Sequence, residues 1–506
     1  MTYFLYRSYN FFLFFNHLNY TIMKTSILQN PILGIPFLIG LLLVCIATKA
    51  QNNTSYNANT VPINGDRCIA IGVGALAFNT IGQGNTAIGF QALYSNSTGH
   101  MNVAIGFQAL NSSTTQDNNI AIGFQALYSN TTGSSNTAIG GLTLVNNTTG
   151  YGNTAIGNQN LVNNTTGSNN VSIGNVTLRN NTTGSNNTAN GSGALYNNTT
   201  GSYNTANGSS ALSNNQTGYY NTANGYESLR YNTTGEYNTA NGSFALRENT
   251  IGSFNTANGS GALSYNQTGS YNSANGYLAL YLNGSGNYNT ANGYESLRSN
   301  IFGNNNTANG HHSLYSNTTG SNNVSIGDSA GFNSLGSNNV YIGNQAGQTE
   351  TGSNKMYISN AGSNALIYGD FATHQVLLGV PNATGYVFKG SRTLNVMGGI
   401  LTDSVRVALS SEWADYVFDE NYTLKPLNEL EQFIIANKHL PNIPNAAEVK
   451  EKGINLAEIN IKLLEKTEEL TLYIIQQNKQ TEALKKQVGE QQKQIDELRK
   501  MILNKK

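Results

Sequence analysis

A glycine recurs every seventeen residues from Gly72 to Gly327, sixteen times without a slip. Each closes a short segment reading Asn-Thr-Ala-Ile-Gly or Asn-Thr-Ala-Asn-Gly or a close variant, as at Asn136–Gly140. A fixed period of this kind marks an array of stacked units, none of which can bury a core alone. A second glycine falls ten residues after the first, at Gly82, Gly99, Gly133, Gly150 and Gly167, with Gln116 as the one exception. Two Gly- or Asn-rich corners per seventeen residues leave room for two short extended segments and for no helix of useful length. The expected fold class is mainly β, a parallel β-roll or solenoid of 17-residue coils over residues 67–347. Coils stacked at the usual strand spacing of about 4.8 Å make a rod of roughly 75 Å.

Comparing the coils separates an inside from an outside. Leu stands four residues after the glycine, from Leu76 to Leu314, and Ala or Ser stands two before it. These side chains are the expected interior of a thin coil. The residue just before the glycine is Ile up to Ile173, with Ile139 and Ile156 among them. It is then Asn through eight coils, including Asn190, Asn207, Asn224, Asn241 and Asn258, and Ile again at Ile326. Strand alternation puts this position opposite the Ala, on the face of the Thr two residues earlier. Stacked Asn side chains can bond to one another from coil to coil. These residues are therefore the expected seam between chains, because monomers avoid a long exposed apolar stripe.

Composition narrows the classes of function. Charged residues make up 10% of the 506 and the formal net charge is zero, so no basic patch speaks for nucleic acid. Between Gly72 and Gly343 the charged side chains number ten and include no lysine, whereas the chain after Asp403 is rich in Lys and Glu. Cys45 and Cys68 are the only cysteines, and Cys68 holds a place where later coils carry Asn. Residues 1–50 read as an export signal with its start at Met23: Lys24, an apolar run Ile32–Ile46, and Thr48-Lys49-Ala50 ahead of Gln51. The protein is expected to be exported, to the surface or the medium, with residues 51–66 as a polar linker.

The chain changes character beyond Gly347. Residues 348–400 predict an irregular β neck, with strand-like runs at Lys355–Ile358, Ala365–Tyr368 and Gln375–Leu378. A small α/β module is expected over 401–452, and a coiled coil over 453–506. With Leu463 at d, the four-three spacing runs through Thr467, Leu470, Ile474, Gln477, Thr481, Leu484, Val488, Gln491, Ile495, Leu498 and Ile502. The coil core is thus Leu470, Ile474, Leu484, Val488, Ile495 and Leu498. The chain is expected to associate with itself, although heptads alone are compatible with two strands as well as three.

Two stretches carry resemblances. The segments NTAIG, NVAIG (Asn102–Gly106) and NVSIG (Asn170–Gly174, Asn323–Gly327) resemble the head repeats of YadA-type trimeric autotransporter adhesins. That likeness covers roughly 67–347 and implies a homotrimer of β-rolls followed by a coiled-coil stalk. The run from Trp413 to Pro444, WADYVFDENYTLKPLNELEQFIIANKHLPNIP, resembles the C-terminal module of tail-fibre-like surface proteins of Bacteroidetes. Relatives of that module include S74-type chaperones that cleave themselves with a Ser-Lys pair. The nearest counterpart here, Ser410-Ser411-Glu412-Trp413, lacks the usual opening of that motif. Residues Lys500–Lys506 keep the heptad register, so anchoring by membrane strands in the manner of the adhesins is not expected.

No motif speaks for catalysis, a metal or a cofactor. His311 and His312 are adjacent, and in a strand they would face opposite ways. Glu227 and Glu295 lie four coils apart, roughly 20 Å by stacking, too far for a glycosidase pair, and are expected to pair with Arg230 and Arg298. Corner tyrosines (Tyr94, Tyr128, Tyr220, Tyr237, Tyr288) form a repeated exterior that can meet an extracellular protein or glycan. The expected function is that of an exported fibrous surface protein, adhesin or tail-fibre-like. The alternatives are a self-cleaving fibre and, more weakly, a polysaccharide- or ice-binding array.

Overall fold

The computed structural model describes residues 54–56, 67–360, 362, 364–380, 388, 391–406 and 413–504. The export signal expected over 1–50 and the Ser410-Ser411-Glu412 segment lie outside the described residues. The chain divides into two units, residues 1–398 and 399–506.

The first unit is a parallel β-solenoid of 17-residue coils. Each coil contributes one three-residue strand, from β2 (Ile69–Ile71) to β18 (Val340–Ile342), in a sheet of 22 strands. Neighbouring strands pair in register, Thr205 with Thr222, Ala206 with Ala223 and Asn207 with Asn224. The register follows from the period, since a slip of one residue would turn every Ala outward.

The second extended segment expected in each coil is absent. From Gly208 to Asn215, for example, the chain runs through successive turns. The recurring Leu sits in them with a left-handed backbone, φ 51° at Leu212. That conformation costs an L-residue about 1–2 kcal/mol. It is offset by burial of the side chain, worth about 1.5–3 kcal/mol, and every such Leu from Leu93 to Leu314 is fully buried. The turns are also bonded from coil to coil, with Leu212 N–H donating to Ser228 O at 2.9 Å and Ser210 N–H to Ser192 O at 2.9 Å. A strand is not needed for a continuous ladder here.

Beside the Ala and Leu layers the interior holds two columns of buried Asn, which an Ala/Leu interior does not include. In the first, Asn221 Oδ1 accepts from the backbone N–H of Asn238 at 3.0 Å and from its Nδ2 at 3.2 Å. Asn221 Nδ2 donates to Gly235 O at 2.8 Å. Cys68 heads this column, its thiol donating to Gly82 O at 3.3 Å where later coils use an Asn amide. In the second column Asn215 Nδ2 donates to Asn198 Oδ1 at 2.7 Å and to Gly218 O at 2.9 Å. Buried amides satisfied in this way avoid the desolvation cost of an unpaired polar group.

Gln116 belongs to a local repair of the second column. Its coil carries Ser113 in place of Asn, and Gln116 Oε1 accepts from Ser113 Oγ at 2.7 Å and from Thr114 N–H at 2.8 Å. The repair is incomplete: Asn96 Oδ1, one coil earlier, is buried without a hydrogen-bond partner. Asn317 Oδ1 is in the same condition, ahead of Ser334. The double change Ser113→Asn with Gln116→Gly is expected to raise stability by about 1–2 kcal/mol, read as a higher thermal midpoint. Ser113→Asn alone is expected to lower it, since the Gln116 side chain fills the space.

The solenoid extends beyond the expected boundaries at both ends. Inside the expected linker, β1 (Thr54–Tyr56) pairs in parallel with β2 and covers its edge. At the other end β18 pairs in parallel with β19 (Lys355–Ile358), past Gly347. Two large rings replace the lost Leu there. A Cβ on Gly331 would stand 2.5 Å from the Tyr341 ring, and one on Gly347 2.3 Å from it, so the missing Leu volume is taken by tyrosine. Burial pushes the Tyr341 phenol up, while Tyr357 donates to Glu350 at 2.6 Å. The array then closes in antiparallel strands, β20 (Ala365–Asp370) on β19 and β21 (Gln375–Val380) on β20, with β22 (Leu394–Val396) parallel to β21.

The second unit is helical, and no strand occurs among its described residues, so the expected α/β module is corrected to a helical one. Ala414 and Val417, both buried, are three apart and fit a 3-10 turn over Ala414–Phe418 instead of a strand. Then come α1 (Leu427–Asn437), α2 (Ala446–Lys452) and α3 (Leu456–Leu503). A capping box between Asn445 and Glu448 starts α2, and the Asn455 side chain caps α3. Glu465 on α3 ties the segment down, accepting from Tyr416 at 2.7 Å, Lys466 at 2.7 Å and Asn442 at 3.3 Å. Burial alone would raise its carboxyl, but these donors outweigh burial and hold it below its ordinary value. The Tyr416 phenol is pushed up to about 12, chiefly by its bond to Glu465. No described helix is long and apolar enough to cross a membrane.

Candidate functional site

The outward residues of the coils form parallel columns, so any site on the solenoid is a ladder rather than a pocket. Ile139, Ile156, Asn190, Asn207, Asn224, Asn241, Asn258 and Ile326 all lie on the outer side of their strands, with the buried Ala or Ser between them and the Thr or Val. From Asn207 to Asn292 each amide donates to the next at 2.8–2.9 Å. The Asn column from Asn207 to Asn292 is therefore linked within one chain, each inner amide using one N–H and one acceptor position of its two. The Ile stretches are apolar columns, half-buried from Ile71 to Ile139 and exposed at Ile156, at Ile173 (39%) and at Ile326 (44%). Phe90, Phe107 and Phe124 stack beside the N-terminal one, their rings 5.2 and 5.5 Å apart.

The corner tyrosines belong to two different columns. Tyr94 and Tyr128 follow the repeating glycine by five residues. Tyr220, Tyr237 and Tyr288 stand just ahead of the buried Asn, in a column of stacked rings: Tyr203, Tyr220, Tyr237, Phe254, Tyr271 and Tyr288. Successive centroids are 4.9–5.0 Å apart. Tyrosine at successive repeats is visible in the sequence. That the rings share one left-handed corner, as at Tyr220 with φ 57°, is not.

Charged groups gather in two clusters. Glu227 pairs with Arg230 and with Arg247 of the next coil, each at 2.7 Å. Its burial would raise the carboxyl, but the two guanidiniums win and lower it. Glu295 lies 3.7 Å from Arg298 and 3.1 Å from His312. The histidines are in a turn, not a strand, and their rings sit side by side at 3.8 Å, so the expectation of opposite faces fails. Each is engaged separately, His312 with Glu295 and His311 with Asp328 at 3.5 Å. Among the described residues no three His, Cys, Asp or Glu gather as metal ligands.

On α3 the heptad side chains Leu470, Ile474, Leu484, Val488, Ile495 and Leu498 are all exposed, the least of them 46%. Glu465 is the only buried residue of that 48-residue helix among those described. Comparison with family models, with curated proteins and with solved structures gave no match.

Proposed function

We propose that this protein is an exported, elongated homo-oligomeric fibre whose repeat shaft displays a surface for attachment, in the manner of an adhesin or a tail fibre. The exposed heptad stripe of α3 carries the reading. Six apolar side chains in a four-three pattern on one long helix are an unfilled coiled-coil seam. Thr467, Thr481, Gln477 and Gln491 interrupt that seam and serve to set register and strand number. A trimer is the order that the YadA-type resemblance supports. The register-perfect solenoid supports the shaft, since such arrays span distance and offer repeated surfaces.

Sedimentation of the full chain tests the oligomer. The expected result is an extended multimer that falls to monomer in Leu470→Lys with Ile495→Lys, with the solenoid's circular dichroism unchanged. A compact monomer in the unaltered protein overturns the reading. Export is tested separately by N-terminal sequencing of protein recovered outside the cell, with Gln51 as the expected first residue.

A further inference from the structure

Two columns of the solenoid change together. The residue before the repeating glycine is Asn in the eight coils from Asn190 to Asn309. The stacked aromatic column occupies the six inner coils of that block, Tyr203 to Tyr288, and gives way to Asn186 and Asn305 on either side. Between the two columns runs a third, Thr205 to Thr290, with Ser273 as its one Ser. The middle of the rod thus carries a surface three side chains wide and six coils long.

We propose that this aromatic–Thr–Asn face binds an extended, uncharged polysaccharide lying along the rod. Charge comes first: none of the three columns contains Asp, Glu, Lys, Arg or His over these coils, so the face matches a neutral occupant. The hydrogen-bonding capacity is equally specific. An Asn amide has two N–H donors and two acceptor positions. The coil-to-coil ladder uses one of each at bonds of 2.8–2.9 Å. Asn224, Asn241 and Asn258 therefore each keep one donor and one acceptor for a ligand, in an orientation the ladder has already fixed, which lowers the ordering cost of binding. Sugar hydroxyls both donate and accept. Because the rings stack on one another, the aromatic column presents ring edges and phenol oxygens, an apolar body with a polar tip. The same trio repeats at about the strand spacing of 4.8 Å, which a linear polymer can follow from coil to coil. The proposal names a ligand for the attachment surface proposed above, and it rests on the solenoid alone, not on the oligomer or on export.

The test uses the full-length protein on insoluble cellulose, chitin and xylan, with heparin as a charged comparator and the matching soluble oligosaccharides of rising length for titration. Retention on at least one neutral polymer is expected, insensitive to salt because no ion pair is made, with affinity rising with oligosaccharide length. Tyr220→Asn with Tyr237→Asn puts into the left-handed corner the residue that Asn118 and Asn169 already hold there. That variant is expected to bind at least about tenfold more weakly, a change of about 1.4 kcal/mol, with thermal midpoint and sedimentation unchanged. No retention on any neutral polymer, retention on heparin only, full affinity in the variant, or ice-growth inhibition without glycan binding overturns the proposal. A fall in oligomeric mass in the variant also overturns it and assigns the face to a second copy.

Discussion

Asn221→Ala is expected to destabilise the solenoid by on the order of 4 kcal/mol, the largest effect of a single side-chain truncation in the array. The amide takes part in four hydrogen bonds: it accepts twice from Asn238 and donates to Gly235 O and to Asn204 Oδ1. Its removal leaves the Asn238 backbone N–H buried without an acceptor, alone worth about 1–3 kcal/mol, and opens a cavity. Coils contact only their neighbours, so a weakened interface divides the rod into two parts that melt separately. Hydrogen exchange should show lost protection around residues 204–252, and a denaturant melt should broaden or split. Asn221→Asp keeps the acceptor but loses the donor and buries a charge, so it is expected to be no milder. A melt of either variant within about 0.5 kcal/mol of the unaltered protein would show that the columns are not what joins the coils.

Gly225→Ala is expected to cost on the order of 3 kcal/mol or more. Its φ is +136°, where an L side chain is strained, and a Cβ would lie 2.5 Å from Gly242 O. Neither problem relaxes without parting two coils, because the opposing atom is backbone. Gly193 provides the control. Its φ is +67° and the nearest atom to a new Cβ is Ser210 Oγ at 3.7 Å. Asn tolerates that conformation, so Gly193→Asn is expected to stay within about 0.5 kcal/mol. Thermal melts of the two variants side by side decide it, and equal midpoints would mean that the glycine period reflects turn preference alone.

The contrast between these glycines explains how far the coil was legible. The seventeen-residue spacing of Gly72 to Gly327 reports a position where both φ and the next coil forbid a side chain, so no other residue breaks the pattern. The Ala and Leu columns were legible for a similar reason: a thin interior tolerates one size at each place. The buried Asn columns were present in the same alignment of coils, at Asn85 to Asn323, but their polarity pointed to turns and solvent. Only the stacking shows that each amide is answered by the amide one coil away. The second segment is not legible as a turn, because Leu four residues after glycine, next to Ala, looks extended, whereas the chain there alternates through left-handed turns. Gly347 looks like the end of the array in the sequence, and only the Tyr341 ring packed across Gly331 and Gly347 shows that the coil continues.

On the surface the same division holds. The sequence by itself determined the period, the Ala/Leu interior, the change from Ile to Asn and back, and the heptads of the final helix, because each is a recurrence along the chain. The tertiary structure alone decided that six aromatic rings form one column, that the Asn amides of the middle coils bond to one another within a single chain, and that Glu227 reaches Arg247 in the next coil. Those facts depend on contacts between residues seventeen or twenty apart, which exist only once one coil lies on another.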